Sequence, residues 1–222
     1  MSSLYLLRHG QAAFGAADYD QLSPLGLQQA RATGAFFASR QLTFNAVLVG
    51  PRQRHRRTAE ELLLGMAGPA PALVNAPGLD EFAEGSALLA SARARLPSAL
   101  TWPLAQREQL RLYSQEVRRW AEGAADIPAT VPLEAFSASV STWLQQTVQE
   151  QGSGRRLLAV SSAGTIAVLV AQVLQLPRAH LGELLLALGN CALSELLFSG
   201  GRVSLRTFNS SHHLPAALAS HI

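Results

Sequence analysis

Leu4, Tyr5, Leu6, Leu7, Arg8, His9 and Gly10 decide how the rest of the chain reads. A short apolar run that ends in two polar side chains and a glycine has the form of a strand buried in a parallel sheet. Open α/β sheets bind ligands just beyond the carboxyl ends of such strands. Arg8 and His9 are therefore expected at the mouth of a site. An arginine fork can give two parallel charged hydrogen bonds to a phosphate, and a neutral histidine nitrogen can attack phosphorus. Three residues alone would fit a solvated strand end equally well, so the weight falls on whether the pattern recurs.

It recurs twice. Ser23 and Pro24 first announce a helix running to about Arg40, a capping residue followed by proline in the first turn, with Leu27, Ala30, Ala35 and Phe37 expected on its inner side. Asn45 to Gly50 then reads as a second strand, followed by Pro51 and an arginine-rich helix through Leu64. Arg56 has Glu60 four residues on and Arg57 has Glu61, the spacing of helix ion pairs. Arg54 has no such partner and stands nearest the strand end, which makes it the arginine assigned to the site. Arg156 to Ser161 is the third strand, and Ser162, Ala163 and Gly164 lead into an apolar helix ending near Leu176. That helix start offers backbone N–H groups to an anion. Ser162 can cap it and line the pocket.

The remaining segments fill in around these. Ala72 to Asn75 reads as a short strand, and Glu81 follows at its exit, where a carboxyl can serve as a general acid. Phe82 to about Pro132 has helical patterns only, roughly Ser86 to Arg95 and Leu104 to Glu122. It reads as an insertion that caps the site, the place where substrate choice is made, or equally as a packing layer alone. A helix over Pro132 to Gln151, a short one over Leu181 to Leu188 and a hairpin of Cys191 to Phe198 with Arg202 to Phe208 complete the chain. The fold class is α/β: a three-layer sandwich, its central sheet mostly parallel and flanked by helices. Residues 1–222 read as one domain.

Composition narrows the chemistry. The chain of 222 residues is 48% hydrophobic and 15% charged, enough to bury a core. Every one of the 18 basic residues is arginine, so Schiff-base chemistry and a P-loop lysine are excluded. The net charge of +3 is mild. The arginine cluster lacks interleaved aromatics, so no nucleic-acid partner is expected. Cys191 is the one cysteine, expected in a buried strand, and excludes an intrachain disulfide. A strand this near the first residue predicts no signal peptide, and no run has transmembrane length. A cytoplasmic protein with no membrane partner is expected, its oligomeric state left open.

In motif order and spacing the chain resembles the histidine phosphatase superfamily, the phosphoglycerate-mutase-like fold. Leu-Leu-Arg-His-Gly matches the opening motif. Gly-Pro-Arg-Gln-Arg-His-Arg-Arg-Thr-Ala, Gly50 to Ala59, resembles the second motif, with Arg54 at its phosphate-binding position. Leu79, Asp80 and Glu81 resemble the proton-donor motif, and Asn190, Asn209, His213 and Leu214 the closing strands. The resemblance implies hydrolysis of a small phosphorylated substrate through a phosphohistidine on His9. Arg8 and Arg54 would bind the phosphoryl oxygens, and Glu81 would act as acid and then base. No cofactor and no metal are implied.

Two positions depart from the pattern. Ser162 stands where the family carries its second active-site histidine, and Gly15 where many members carry asparagine. A serine hydroxyl is shorter, neutral and donates one hydrogen bond; loss of one preorganised donor costs about 10²–10³ in rate. Restoring histidine at position 162 is accordingly expected to speed turnover. His55, His212 and His213 are candidates to fill the gap, although surface positions are expected for each. A non-catalytic phospho-ligand binding protein is the rival reading. A mutase is a weaker one, because the segment after Glu81 does not resemble the mutases' motif.

Overall fold

A computed structural model describes residues 1–13, 20–66, 68–97, 102, 104–150 and 152–221. The expectation about Gly15 lies outside them. Among the described residues six strands form one sheet: β1 (Ser2–Arg8), β2 (Ala46–Val49), β3 (Leu73–Asn75), β4 (Arg156–Ser161), β5 (Leu193–Ser199) and β6 (Arg202–Ser210), in the order β3-β2-β4-β1-β5-β6. The first four are parallel, and β5 and β6 form the expected hairpin, joined antiparallel to β1. The sheet is thus mixed, with β1, β4 and β2 side by side. Parallel neighbours end at the same edge, so the loops after all three meet there.

Alternation along the strands divides the core in two. Leu4 and Leu6 of β1, with Leu157 and Ala159 of β4, face one side; Leu7, Leu158 and Val160 face the other. The second side is covered by α1 (Pro24–Ser39) and α2 (Gln53–Gly65). The first side is covered by α3 (Gly85–Ala94), α4 (Gln106–Ala121), α5 (Leu133–Glu150), α6 (Ala163–Val173) and α7 (Leu181–Ala187). The segment read as an insertion does not stand apart from this core. Leu88, Val117 and Trp120 join it, and Phe82 stacks on Trp120 at 3.7 Å between ring centroids.

Three local expectations need correction. Ala35 is exposed; the inner face of α1 is Gly26, Gln29, Ala30, Thr33, Gly34 and Phe37. The reason is close contact between α1 and α2. A Cβ at Gly34 would lie 2.0 Å from the Leu62 carbonyl oxygen, and one at Gly65 2.3 Å from that of Arg31. Small residues, rather than the apolar ones alone, set which face turns inward. Cys191 is buried but lies in the turn before β5, with φ of 52°. Its amide donates to the carbonyls of Arg8 and His9, so the turn is pinned to the active edge of the sheet. His55 is the third correction, and it belongs to the site.

Candidate active site

Arg8 and His9 leave β1 under tight constraint. Gly10 follows because a Cβ there would stand 2.5 Å from the Gly26 carbonyl oxygen of α1. The Gly10 amide donates to Thr58 Oγ1 at 3.0 Å, and Thr58 donates to the Arg54 carbonyl at 2.7 Å, which ties the loop to α2. His9 is 5% exposed, and its Nδ1 lies 2.7 Å from the Gly10 carbonyl oxygen. A carbonyl only accepts, so in the neutral ring Nδ1 carries the proton and Nε2 keeps its lone pair. Burial, then the charges of Arg54 and Arg8, then His55, hold His9 well below the ordinary imidazole range. At neutral pH its ring is unprotonated.

The guanidinium of Arg8 is anchored by backbone, with Nη1 donating to the carbonyls of Leu188 and His221, the latter at 2.6 Å. Arg54 is 2% exposed; its Nη1 donates to Asp20 Oδ1 at 2.7 Å and Glu84 Oε2 at 3.0 Å. Asp20 also accepts the Gln53 and Arg54 amides, so one carboxylate caps α2 and orients its arginine. Arg52 pairs with Asp80 and Glu84. Arg56–Glu60 and Arg57–Glu61 pair as their spacing predicts, at 3.0 and 2.6 Å.

Glu81 comes from the loop after β3. Ser161 Oγ donates to the Leu79 carbonyl at 2.8 Å and Thr165 Oγ1 to that of Asp80, which fastens this loop to the β4 exit. The carboxyl accepts from the Phe82 amide at 2.9 Å and the Gly164 amide at 3.1 Å. The N-terminus of α6 therefore receives a carboxyl from within the chain. A Cβ at Gly164 would stand 2.1 Å from Glu81 Oε1, which explains the glycine. Desolvation pushes the Glu81 carboxyl up, against the pull of those two amides and of Arg54 and Arg8. The shift favours the proton-carrying form.

Arg8, His9, Arg54 and Glu81 line one pocket, whose rim includes Phe82, Tyr113 of α4, Leu185 and His221. Ser162 lies behind that wall, 1% exposed, with Ala163 lining the pocket beside it. It occupies the N-cap position of α6 but makes no capping bond. Its hydroxyl instead meets His55 Nε2 at 2.6 Å. His55 is fully buried, with its ring centroid 5.7 Å from that of His9. His212 is exposed; His213 is half-buried and bonds Thr33 of α1 at 3.1 Å.

Sequence reasoning placed His55 at the surface, yet a signal was present. His55, Thr58, Ala59 and Leu62 recur at the helical spacing of a buried stripe, and all four are buried. Asp20, Glu84 and Tyr113 were missed as well. Asp20 and Glu84 are remote in sequence from the Arg54 they bond.

With the geometry in hand, three comparisons bear on the chain. The sequence profile described as histidine phosphatase superfamily (branch 1) matches residues 4–211. A search of curated proteins finds no match. Among solved structures, phosphoserine phosphatase from Entamoeba histolytica with 3-phosphoglyceric acid is similar, at 20% identity and TM-score 0.67, over 97% of this chain and 100% of that one. Alpha-ribazole phosphatase from Shigella flexneri matches at 19% identity and TM-score 0.65, over 94% and 96%. Mycobacterial glucosyl-3-phosphoglycerate phosphatase with inorganic phosphate matches at 22% identity and TM-score 0.63, over 96% and 99%. At these identities the structural likeness shows the fold.

Proposed function

The chain belongs to the histidine phosphatase superfamily, and from that premise we propose that it hydrolyses small phosphomonoesters through a phosphohistidine on His9. The observation that carries the reading is a complementary pair in one pocket: a neutral imidazole with its lone pair on Nε2, and a carboxyl biased toward its acid form. Burial that lowers the imidazole and raises the carboxyl favours the neutral form of both, a nucleophile beside an acid.

In the first step Nε2 of His9 attacks phosphorus and the bond to the ester oxygen breaks. Glu81 gives its proton to that oxygen, and the alcohol leaves. Arg8 and Arg54 bear the charge of the remaining oxygens, already oriented by their backbone and carboxylate partners. In the second step the Glu81 carboxylate takes a proton from water, whose oxygen attacks phosphorus. The N–P bond breaks, phosphate leaves, and His9 and Glu81 return to their starting states. Tyr113 and the apolar rim form the cap side of the pocket and contact the ester's organic part.

The test is release of inorganic phosphate from a panel of phosphomonoesters, with His9→Ala beside the parent. Turnover by the parent and none by His9→Ala supports hydrolysis. Equal rates for both on every compound would overturn it.

A further inference from the structure

We propose that the pocket takes monoesters of uncharged, apolar alcohols, aryl and alkyl phosphates, and discriminates against esters whose organic part carries a second anion. The inference rests on the proposed hydrolysis and names the substrate class of that same site.

The arginines settle the charge. Arg8 and Arg54 line the pocket beside His9, whose ring feels both charges, so both belong to the phosphoryl end. Arg52 lies two residues before Arg54, but its guanidinium meets Asp80, Glu84 and, at 3.4 Å, the Glu81 carbonyl. Among the described residues no other arginine lines the pocket, and the one further basic side chain on its rim is the exposed His221. The chain contains no lysine, and positions 14–19, 67, 98–101, 103, 151 and 222 hold no arginine or histidine. Those positions therefore bring no cationic side chain to the organic part of an ester. Carboxylates do stand close by: Asp20 and Glu84 each bond the Arg54 guanidinium, at 2.7 and 3.0 Å.

The rest of the lining is an apolar wall, and it is firmly built. Phe82 follows Glu81 directly, and its amide donates to Glu81 Oε1 at 2.9 Å. Its ring stacks on Trp120 at 3.7 Å between centroids and meets Phe136 edge-on at 6.0 Å. Trp120 is itself fixed, with Nε1 donating to the Val131 carbonyl at 2.8 Å. Leu185 and Leu186 come from α7, and Tyr113 from α4. These two helices are fastened to each other. A Cβ at Gly182 would lie 3.4 Å from Arg118 Cγ, and Arg118 pairs with Glu183 at 2.7 Å. Leu188, two residues after Leu186, gives the carbonyl that anchors Arg8. The wall is thus tied at both ends to the catalytic groups, through Glu81 and through Arg8.

The chemistry decides which part of the ester meets this wall. Glu81 protonates the leaving oxygen, so the organic group lies on the Glu81 side of phosphorus, where Phe82 is the next residue. An apolar group there gives up its water for contact with Phe82, Leu185 and Leu186. A carboxylate or second phosphate there would give up its water without a cation in return, within range of Glu84. Phe82, Tyr113 and Leu186 are therefore specificity-determining residues.

The experiment measures kcat/KM by phosphate release for two series. The n-alkyl phosphates from ethyl to hexyl share a leaving oxygen of nearly constant basicity, so chain length reads the wall alone. Phenyl and 4-carboxyphenyl phosphate differ by one carboxylate, and the carboxylated phenol leaves no less readily. In the parent, kcat/KM should rise about 2–4-fold per methylene until the wall is filled. The carboxylated ester should be slower than phenyl phosphate by about 10–10³-fold. Rates flat in chain length, or a carboxylated ester turned over as well as phenyl phosphate, would each overturn the class. Leu186→Arg puts a cation on a half-buried position of the wall; it should narrow the gap between the aryl esters by about tenfold or more. An unchanged gap in the folded variant would overturn the role of the wall, and the two parent series test the class without any variant. His221→Ala should leave the ratio of the aryl esters as it is. A loss confined to the carboxylated ester would make His221 an anion contact and overturn the class. His9→Ala separates the two levels. If it hydrolyses phenyl phosphate like the parent, hydrolysis itself fails and the class with it; if it is dead while neutral and anionic esters are turned over alike by the parent, only the class fails.

Discussion

Glu81→Gln isolates the proton step. The side chain keeps its length, but the amide has one accepting oxygen where the carboxyl has two. In the parent, both oxygens accept backbone amides, from Phe82 at 2.9 Å and Gly164 at 3.1 Å. In the variant one of those amides faces an NH₂ group, a lost bond and an unsatisfied donor that cost about 1–3 kcal/mol. The variant also removes a carboxyl that burial penalises when charged, so the thermal midpoint should fall only modestly. Turnover should fall far more. Loss of a general acid costs about 10²–10⁴-fold, and the loss should depend on the leaving group. An alkyl phosphate needs its oxygen protonated; p-nitrophenolate departs readily as the anion. Glu81→Gln should therefore phosphorylate His9 with p-nitrophenyl phosphate and then stall, because the base for water is gone. Stopped-flow absorbance should show a burst of nitrophenolate close to one per active site, then a slow steady phase. Steady-state hydrolysis of an alkyl ester should drop by the full factor. In the parent, that rate should decline as pH rises through the raised Glu81 pKa, and the variant should lack this limb. Equal losses on both substrates, no burst and an unchanged alkaline limb would refute the role of Glu81.

Other expectations follow from the same structure. Arg54→Gln should lower kcat/KM by about 10²-fold or more, and Arg54→Lys should not restore it, because an ammonium cannot reproduce the fork that Asp20 and Glu84 orient; recovery by lysine would show that charge alone suffices. Burial depresses His213 to about 4 from 6.5, so the unfolded chain takes up protons first as pH falls. The His213 contribution to stability is full above about 6.5 and lost as pH drops toward about 4. Urea midpoints should fall across that window, less steeply in His213→Asn, and identical slopes would contradict the assignment. Burial pushes the Cys191 thiol up to about 12. Iodoacetamide should leave it untouched in the native protein and alkylate it once urea unfolds the chain; native alkylation at the rate of a free thiol would show that the turn opens.

Much of this site could be read from residues next to one another in the chain. Arg8 and His9 were legible because an apolar strand delivers them, and Arg54 because its neighbours Arg56 and Arg57 had carboxylates at helical spacing while it did not. The meeting of three strand ends at one edge followed from repeated strand–turn–helix units; the order of the strands did not. Contacts between distant segments were not legible. Asp20 and Glu84 converge on Arg54 from two separate loops, and no local pattern announces such a meeting. The inner face of α1 was misjudged because apolar character was weighed and backbone contact at Gly34 was not. His55 was taken for a surface residue amid arginines, although its spacing to Ala59 and Leu62 already placed it on the buried stripe. Ser162, read as a cap or pocket wall, bonds that histidine instead.

Trapping the covalent intermediate tests the central chemistry most directly. The protein is mixed with p-nitrophenyl phosphate, quenched rapidly in alkali, and its peptides are mapped by mass spectrometry. One phosphoryl group on His9, stable to alkali, lost in acid and absent from His9→Ala, is the expected result. Release of phosphate with no phosphoryl group on His9, and undiminished turnover by His9→Ala, would contradict it.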